Sequence, residues 1–556
     1  MSKPTPIVHN PNAFELPAPQ RRVVLWTVLL GFAALAVGIV NGLGQALNYA
    51  HIDILKYFPG MRTYYQGLTV HGVFNAIVFT FAFANGFCQL CVARGLGRPV
   101  NGLLLNLSFG TLALGSVLAA GAVVAGKASV LFTFYPPLQA HWTYYLGLAL
   151  GVVSTWIASA NLFLTLAAWR KDNPGKRIPL LAYMPVCTYI MWDIASLGIA
   201  IEVVALLLPW SLGLIDKVDP LLSRTLFWFS GHPIVYFWLL PVYVSWYGMA
   251  PKQAGGALFS DKLTRIVFLL FIALSIPVGF HHQYSDPSIG GVQKFVHTIL
   301  TFGVFFPSLA TAFSLMVSLE IGGRRRGGTG LLGWIPKLPW GDPSLVSQIL
   351  AMLTFMLGGI TGLMLASYNI NAVVHNTAFV PGHFHMTVGT AVALSMMGIM
   401  YWLAPWLVKR ELWGRRLAVA QPWVYFVGVL IFARGMISGG LEGMPRRTML
   451  LGAPYWKESW ELAGILTGVG GTLMFLSGAM FYVVLGMTLF FGKKSEAVEF
   501  PFTETIEPPA ATGADVNLDK FRYVIAATVV LILIAYGPWF AQYLPGRFLS
   551  PGFKIF

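Results

Sequence analysis

Val380 to Val408 reads VPGHFHMTVGTAVALSMMGIMYWLAPWLV, 29 residues without one Asp, Glu, Lys or Arg. A helix needs about 20 apolar residues to cross the hydrocarbon core of a bilayer, so this stretch is long enough to span. It nevertheless carries His383 and His385 near one end, and ionisable side chains inside a membrane segment point to function. Similar apolar runs recur on both sides of it. Thirteen spans are expected, at 23–50, 63–93, 102–126, 141–170, 184–213, 223–250, 263–283, 291–321, 345–371, 380–408, 418–440, 459–491 and 522–545. Over the 556 residues, 56% are apolar and 10% charged, against about a quarter charged in soluble domains. Closed barrels alternate polar and apolar residues over segments of about ten, a pattern missing here. The expected fold is an all-α polytopic membrane bundle, because backbone polar groups in lipid must be satisfied within each segment.

The net charge of +15 invites nucleic acid or anionic lipid as a partner, but the basic residues follow the membrane instead. Loops on one side, beginning with Arg21 and Arg22, carry 24 Lys and Arg; the other side carries 11, and Arg434 lies within a helix. The positive-inside tendency then puts the N-terminus in the cytoplasm and the C-terminus outside, as an odd number of spans requires. No nucleic-acid partner is expected. Residues 1–22 read as a cytoplasmic tail without a cleavable signal, and 23–556 as a single transmembrane domain with cytoplasmic linkers at 322–344 and 492–521. Three cysteines exclude a disulfide framework, Cys88 and Cys91 read as packing, and Val92 after Cys91 rules out a c-type haem attachment motif.

Six of the eleven histidines, His71, His232, His281, His282, His383 and His385, fall in four of these spans, all toward the outer side. A lone membrane histidine is usually a helix–helix hydrogen-bonding group; imidazoles converging in one layer are what a buried metal site requires. His383 and His385 are two apart, so on a helix they point to nearly opposite faces and serve two metals or two haems, one on each side. His281 and His282 are adjacent, but Pro277 and Gly279 permit a distortion that lets both reach one metal. With His232 they make three neutral nitrogen ligands, which suit copper or zinc. Tyr236 follows His232 by one turn, and Tyr243 and Tyr247 continue that stripe toward the cytoplasm. Ser308, Thr311 and Ser314 of the eighth span are placed to line the same route, a set of hydroxyls suited to carrying protons.

Together, His-Gly-Val-Phe-Asn-Ala from His71, His-Pro-Ile-Val-Tyr from His232, the pair His281-His282 and Val-Pro-Gly-His-Phe-His from Val380 resemble the catalytic subunit of the haem-copper oxygen reductases, the terminal cytochrome oxidases, and within them the B-type branch. The resemblance covers essentially the whole chain. It implies that His71 and His385 are the axial ligands of a low-spin haem, that His383 is the ligand of a high-spin haem, and that His232, His281 and His282 hold a copper ion. It also implies that Tyr236 is covalently joined to His232 and supplies an electron and a proton to oxygen reduction. Arg446 and Arg447 would pair with haem propionates, with His375 and Asn376 close to those of the high-spin haem. The partners it implies are dioxygen, cytochrome c, a second subunit with a dinuclear copper centre, and small single-helix subunits. The location it implies is the bacterial inner membrane, with proton uptake from the cytoplasm and proton pumping.

Two positions depart from relatives within that family. Ile234 stands where the A-type branch carries a glutamate, which leaves the tyrosine stripe as the sole proton route. Asn371 stands where some relatives have a carboxylate. A nitric oxide reductase of the same superfamily would have the six histidines but no Tyr236. A secondary transporter, with Asp193 and Glu202 as its ion site, would give no reason for six histidines in one layer.

Overall fold

The computed structural model describes residues 14–503, 505–506 and 518–556. Most of the expected tail at 1–22 and the middle of the linker at 492–521 lie outside the described residues. Eleven helices are long and apolar enough to cross a membrane, from Ala18–Tyr49 to Arg522–Gly546. They account for all but two of the expected spans. Those two, the sixth and seventh, are present but interrupted. The sixth is Pro220–Gly231 followed by Pro233–Gly248, with His232 at the joint. The seventh is a helix over Asp261–Leu274 that gives way to a tighter turn over Gly279–Gln283. Proline explains the first break: Pro233 has no N–H to continue the ladder, although His232 before it keeps helical backbone angles. Pro277, which likewise has no N–H, falls in the second break, between the end of the helix and the turn.

Helix ends follow local chemistry. Asp219 caps Pro220–Gly231 by accepting from the Leu221 and Leu222 amides, each at 2.9 Å, and Asp342 caps Pro343–Ala366 through the Leu345 amide at 2.9 Å. Pro220 and Pro343 occupy the first helical position, where a missing N–H costs nothing.

Tyr64–Leu96 and Phe379–Val408 run through the middle of the bundle and are buried along nearly all of their apolar length. Each contains a π-helical turn, Phe74–Phe79 and Thr387–Val392, that starts within three residues of a histidine, His71 and His385 respectively. Such turns re-aim the side chains around them and are common at functional sites. On the outer helices, exposed side chains such as Leu103, Val117, Phe306, Leu462 and Leu533 are apolar, as contact with lipid tails requires. The β structure among the described residues is confined to Leu138–Gln139 paired in parallel with Phe553–Lys554 and a few single bridges.

Candidate haem and copper site

A cavity of ≈ 560 Å³ lies inside the bundle, and all six histidines line it, together with Tyr236, Ser308, Asn371, His375, Arg446 and Arg447. The break before Pro233 and the turn at Gly279–Gln283 bring His232, His281 and His282 together, with one nitrogen of each within 4.8 Å of the others. His232 Nδ1 stands 3.3 Å from His282 Nε2. The other His232 nitrogen, Nε2, is buried with no hydrogen-bond partner, and the Tyr236 ring lies 5.2 Å away, centroid to centroid.

The helix Phe379–Met386 presents its two histidines to opposite sides. His383 Nδ1 donates to the Gly358 carbonyl at 3.0 Å and to Thr361 Oγ1 at 2.9 Å, both on the ninth span. His385 turns the other way, against Phe432 at 4.4 Å, and its ring is nearly parallel to that of His71, 6.0 Å away at 9°. Imidazole binds through a lone pair in its ring plane, so one ion about 2 Å from a nitrogen of each ring fits between their edges at about this centroid spacing.

The Nδ1 atoms follow one rule. His71 Nδ1 donates to Gly38 O at 3.0 Å, His385 Nδ1 to Pro381 O at 2.8 Å and His281 Nδ1 to Thr301 Oγ1 at 3.0 Å. With His383, that makes four cavity-lining imidazoles whose Nδ1 is held as a donor, which fixes the tautomer and leaves the Nε2 lone pair free. Gly42 makes room for His71: a Cβ there would sit 2.6 Å from its Nδ1.

At the outer rim, Arg446 donates to Asn376 Oδ1 at 3.0 Å and Arg447 to Thr133 Oγ1 at 3.3 Å. Among the described residues no carboxylate pairs with either guanidinium. Loss of water, and then the neighbouring Arg447 charge, draw Arg446 down to about 9. Arg446 Nε is buried and unpartnered. Two adjacent cations lacking an anion, at the edge of an apolar cavity, form a receptor for carboxylates. His375 Nδ1 donates to Asn371 Oδ1 at 3.0 Å on the same rim. Asn376 stands behind it and reaches the cavity through Arg446.

Toward the cytoplasm, Tyr247 Oη donates to Thr311 Oγ1 at 2.8 Å. Tyr243 Oη and Ser314 Oγ are buried without a well-formed hydrogen bond, Tyr243 lying beside Ser308 and Thr311, and Ser308 reaches the cavity wall. The residues that sequence reasoning missed support the histidines: Trp228 stacks on His282 at 3.8 Å and 9°, and Thr301 and Thr361 accept from His281 and His383. Trp228 lies one helical turn before His232, a spacing that was available as a signal; the threonines come from other spans and carry none.

The family model described as Cytochrome C and Quinol oxidase polypeptide I matches residues 22–473. Cytochrome c oxidase subunit 1 of Thermus thermophilus is 43% identical over 549 residues, 97% of each chain. A cytochrome c oxidase polypeptide 1 of Halobacterium salinarum is 28% identical over 69% of this chain and 65% of its own length. A probable quinol oxidase subunit 1 of Staphylococcus haemolyticus is 26% identical over 76% of this chain and 63% of its own length. Among solved structures, a heme-copper terminal oxidase dimer determined by cryo-electron microscopy superposes with a TM-score of 0.91 at 36% identity, covering 96% of this chain and 95% of the other. A profile match over most of the chain and a full-length relative at this identity place it: the chain belongs to the Cytochrome C and Quinol oxidase polypeptide I family.

Proposed function

We propose that this chain is the catalytic subunit of a terminal respiratory oxidase of the bacterial inner membrane, which reduces dioxygen to water with electrons from cytochrome c and takes protons from the cytoplasm. Residues 23–556 act as one unit in this reading. The observation that carries it is the convergence of six histidines on one cavity, three of them within metal-sharing distance.

The residues fit two haems and a copper ion. His71 and His385, parallel and apart by the width of a ligated metal, would hold a low-spin haem with no open position. His383, alone on its side of the helix, would hold a high-spin haem, and the trio His232, His281 and His282 would hold copper. The propionates would meet Arg446 and Arg447, whose charges otherwise lack a partner. When bound, the metals supply the electrons that dioxygen needs.

The chain's own part is orientation and protons. Threonine hydroxyls and backbone carbonyls fix the imidazoles in one tautomer before any metal arrives. Tyr236, with no glutamate at position 234, is the proton donor nearest the trio, and its phenol is buried among Phe271 and the histidines. Tyr247 and Thr311 form the cytoplasmic part of its supply. Tyr243, beside Ser308 and Thr311, and Ser314 are buried hydroxyls without a well-formed hydrogen bond and so natural stations for bridging water, since an unsatisfied buried hydroxyl is costly. Lacking a c-type haem motif and a cysteine cluster, the chain takes electrons from a second subunit with a dinuclear copper centre, fed by cytochrome c, beside small single-helix subunits.

A pyridine haemochrome assay with copper quantification on the purified complex, alongside oxygen uptake with reduced cytochrome c, tests this. Two haems and one copper in this chain, with turnover, are expected. A preparation without Soret absorption would overturn the reading.

A further inference from the structure

The seventh membrane segment ceases to be an α-helix after Leu274 and carries His281 and His282 on the turn that follows. A break at that depth leaves backbone N–H and C=O groups with no intrahelical partner, which a bilayer interior does not tolerate. Their partners come from two other helices. Tyr536, on Arg522–Tyr543, donates from Oη to the Ile276 carbonyl at 3.1 Å and accepts from the Gly279 amide at 2.9 Å. His297, on Gly291–Arg325, accepts at Nδ1 from the Phe280 amide at 3.2 Å and donates from Nε2 to the Ala535 carbonyl at 3.1 Å. One turn beyond His297, Thr301 accepts from His281 itself.

The contacts interlock. Both side chains are buried, and the Tyr536, His297 and Phe280 rings pack with centroids 4.4 to 5.0 Å apart. A Cβ at Gly279 would lie 2.3 Å from the Trp228 carbonyl and 2.5 Å from Tyr536 Oη, so the turn is pressed between the sixth segment and the last helix. Further along that helix, Trp539 donates to Ser288 O at 3.1 Å and Tyr543 to the Asp219 carboxylate at 3.0 Å, so it also ties down the loop after the turn and the start of the sixth segment. The last helix is otherwise mostly exposed, and its buried face is spent largely on the elements that bear His232, His281 and His282.

We propose that Tyr536 and His297 are positioning residues: they take up the backbone groups released where the seventh segment breaks, and so hold His281 and His282 beside His232. This rests on the reading of that trio as a copper site.

The test is the rate of copper loss from the purified complex to a copper(I) chelator, with haem absorbance recorded in parallel. Tyr536→Phe removes one oxygen atom, and His297→Phe removes a donor and an acceptor. Each is expected to lose copper about ten- to a hundredfold faster than wild type, the range for residues that orient metal ligands, while both haems stay bound. His297→Gln, which keeps a donor and an acceptor, is expected to recover part of the difference. Amide exchange in the 276–283 peptide is expected to quicken in Tyr536→Phe and not in peptides from 64–96. Wild-type rates of copper loss in both Tyr536→Phe and His297→Phe would overturn the positioning role while leaving the copper site intact. A wild-type complex with full haem and no copper would instead overturn the copper reading, and this proposal with it.

Discussion

Replacing Gly42 by alanine separates the stability of a helix from the occupancy of a site. Gly42 lies inside the helix Ala18–Tyr49, where alanine is favoured over glycine by about 0.8–1.0 kcal/mol. By propensity alone the variant is the more stable protein. The structure gives the opposite sign for the site. The new Cβ would stand 2.6 Å from His71 Nδ1 and 2.7 Å from Cε1, whereas non-bonded atoms rest near 3.5–4.0 Å, so the ring must retreat by roughly 1 Å. Metal–ligand distances tolerate about 0.2 Å. The displacement also pulls Nδ1 from the Gly38 carbonyl that fixes its tautomer. Gly42→Ala should therefore lose the low-spin haem and keep the copper and the high-spin haem, whose ligands lie on other segments. Reduced-minus-oxidised spectra and a haemochrome assay should show about half the haem per chain. Gly121→Ala, where nothing lies within 4 Å of the added carbon, should retain the full complement and serves as the control. A Gly42→Ala protein with both haems and an unchanged low-spin band would refute the argument.

Four further outcomes follow from the same geometry. Tyr236→Phe should bind both haems and copper yet lose steady-state oxygen consumption; normal turnover would remove its role as proton donor. Tyr247→Phe breaks the bond to Thr311 and should slow oxygen uptake by about 10²-fold or more, the scale of a lost proton-transfer group, with haem spectra unchanged; a wild-type rate in stopped-flow reduction and turnover would place the proton route elsewhere. Arg446→Gln removes a cation that favours the reduced haem, so a redox titration should give a lower midpoint potential, by about 60 mV if the charge contributes about 1.4 kcal/mol; no shift would separate Arg446 from the haem. The chain stripped of its second subunit should oxidise cytochrome c slowly, and a full rate in a stopped-flow assay would show that it needs no intermediary.

The spans and the six histidines that line the cavity were legible because each leaves a strong local mark: runs of apolar residues of membrane length, and imidazoles in places where lipid penalises them. His383 and His385 even disclosed their division between two sides of a helix, since a spacing of two fixes their relative angle. Other features left no local mark. By hydropathy the sixth span at 223–250 reads as one helix, although His232-Pro233 contains the signal for its joint; the π-helical turns after His71 and His385 have no sequence signature. The carbonyls of Gly38, Gly358 and Pro381 are backbone groups, so no residue type announces them. Thr301, His297 and Tyr536 act from helices that only tertiary packing brings near.

That division has a physical cause in the membrane itself. An unbroken helix satisfies most of its own backbone, and eleven of the spans cross as continuous helices. The two that do not are the two that carry His232, His281 and His282. Three imidazoles on regular helices project along fixed directions, and adjacent residues such as His281 and His282 diverge by about 100°; bringing them to one ion requires abandoning the helix there. The break then needs donors and acceptors from neighbours, which is the task of Tyr536 and His297, and a proline to specify where it occurs. The histidine trio, the interrupted segments and the mostly exposed last helix are therefore one arrangement, in which a departure from the cheapest membrane structure is tolerated where the three imidazoles converge.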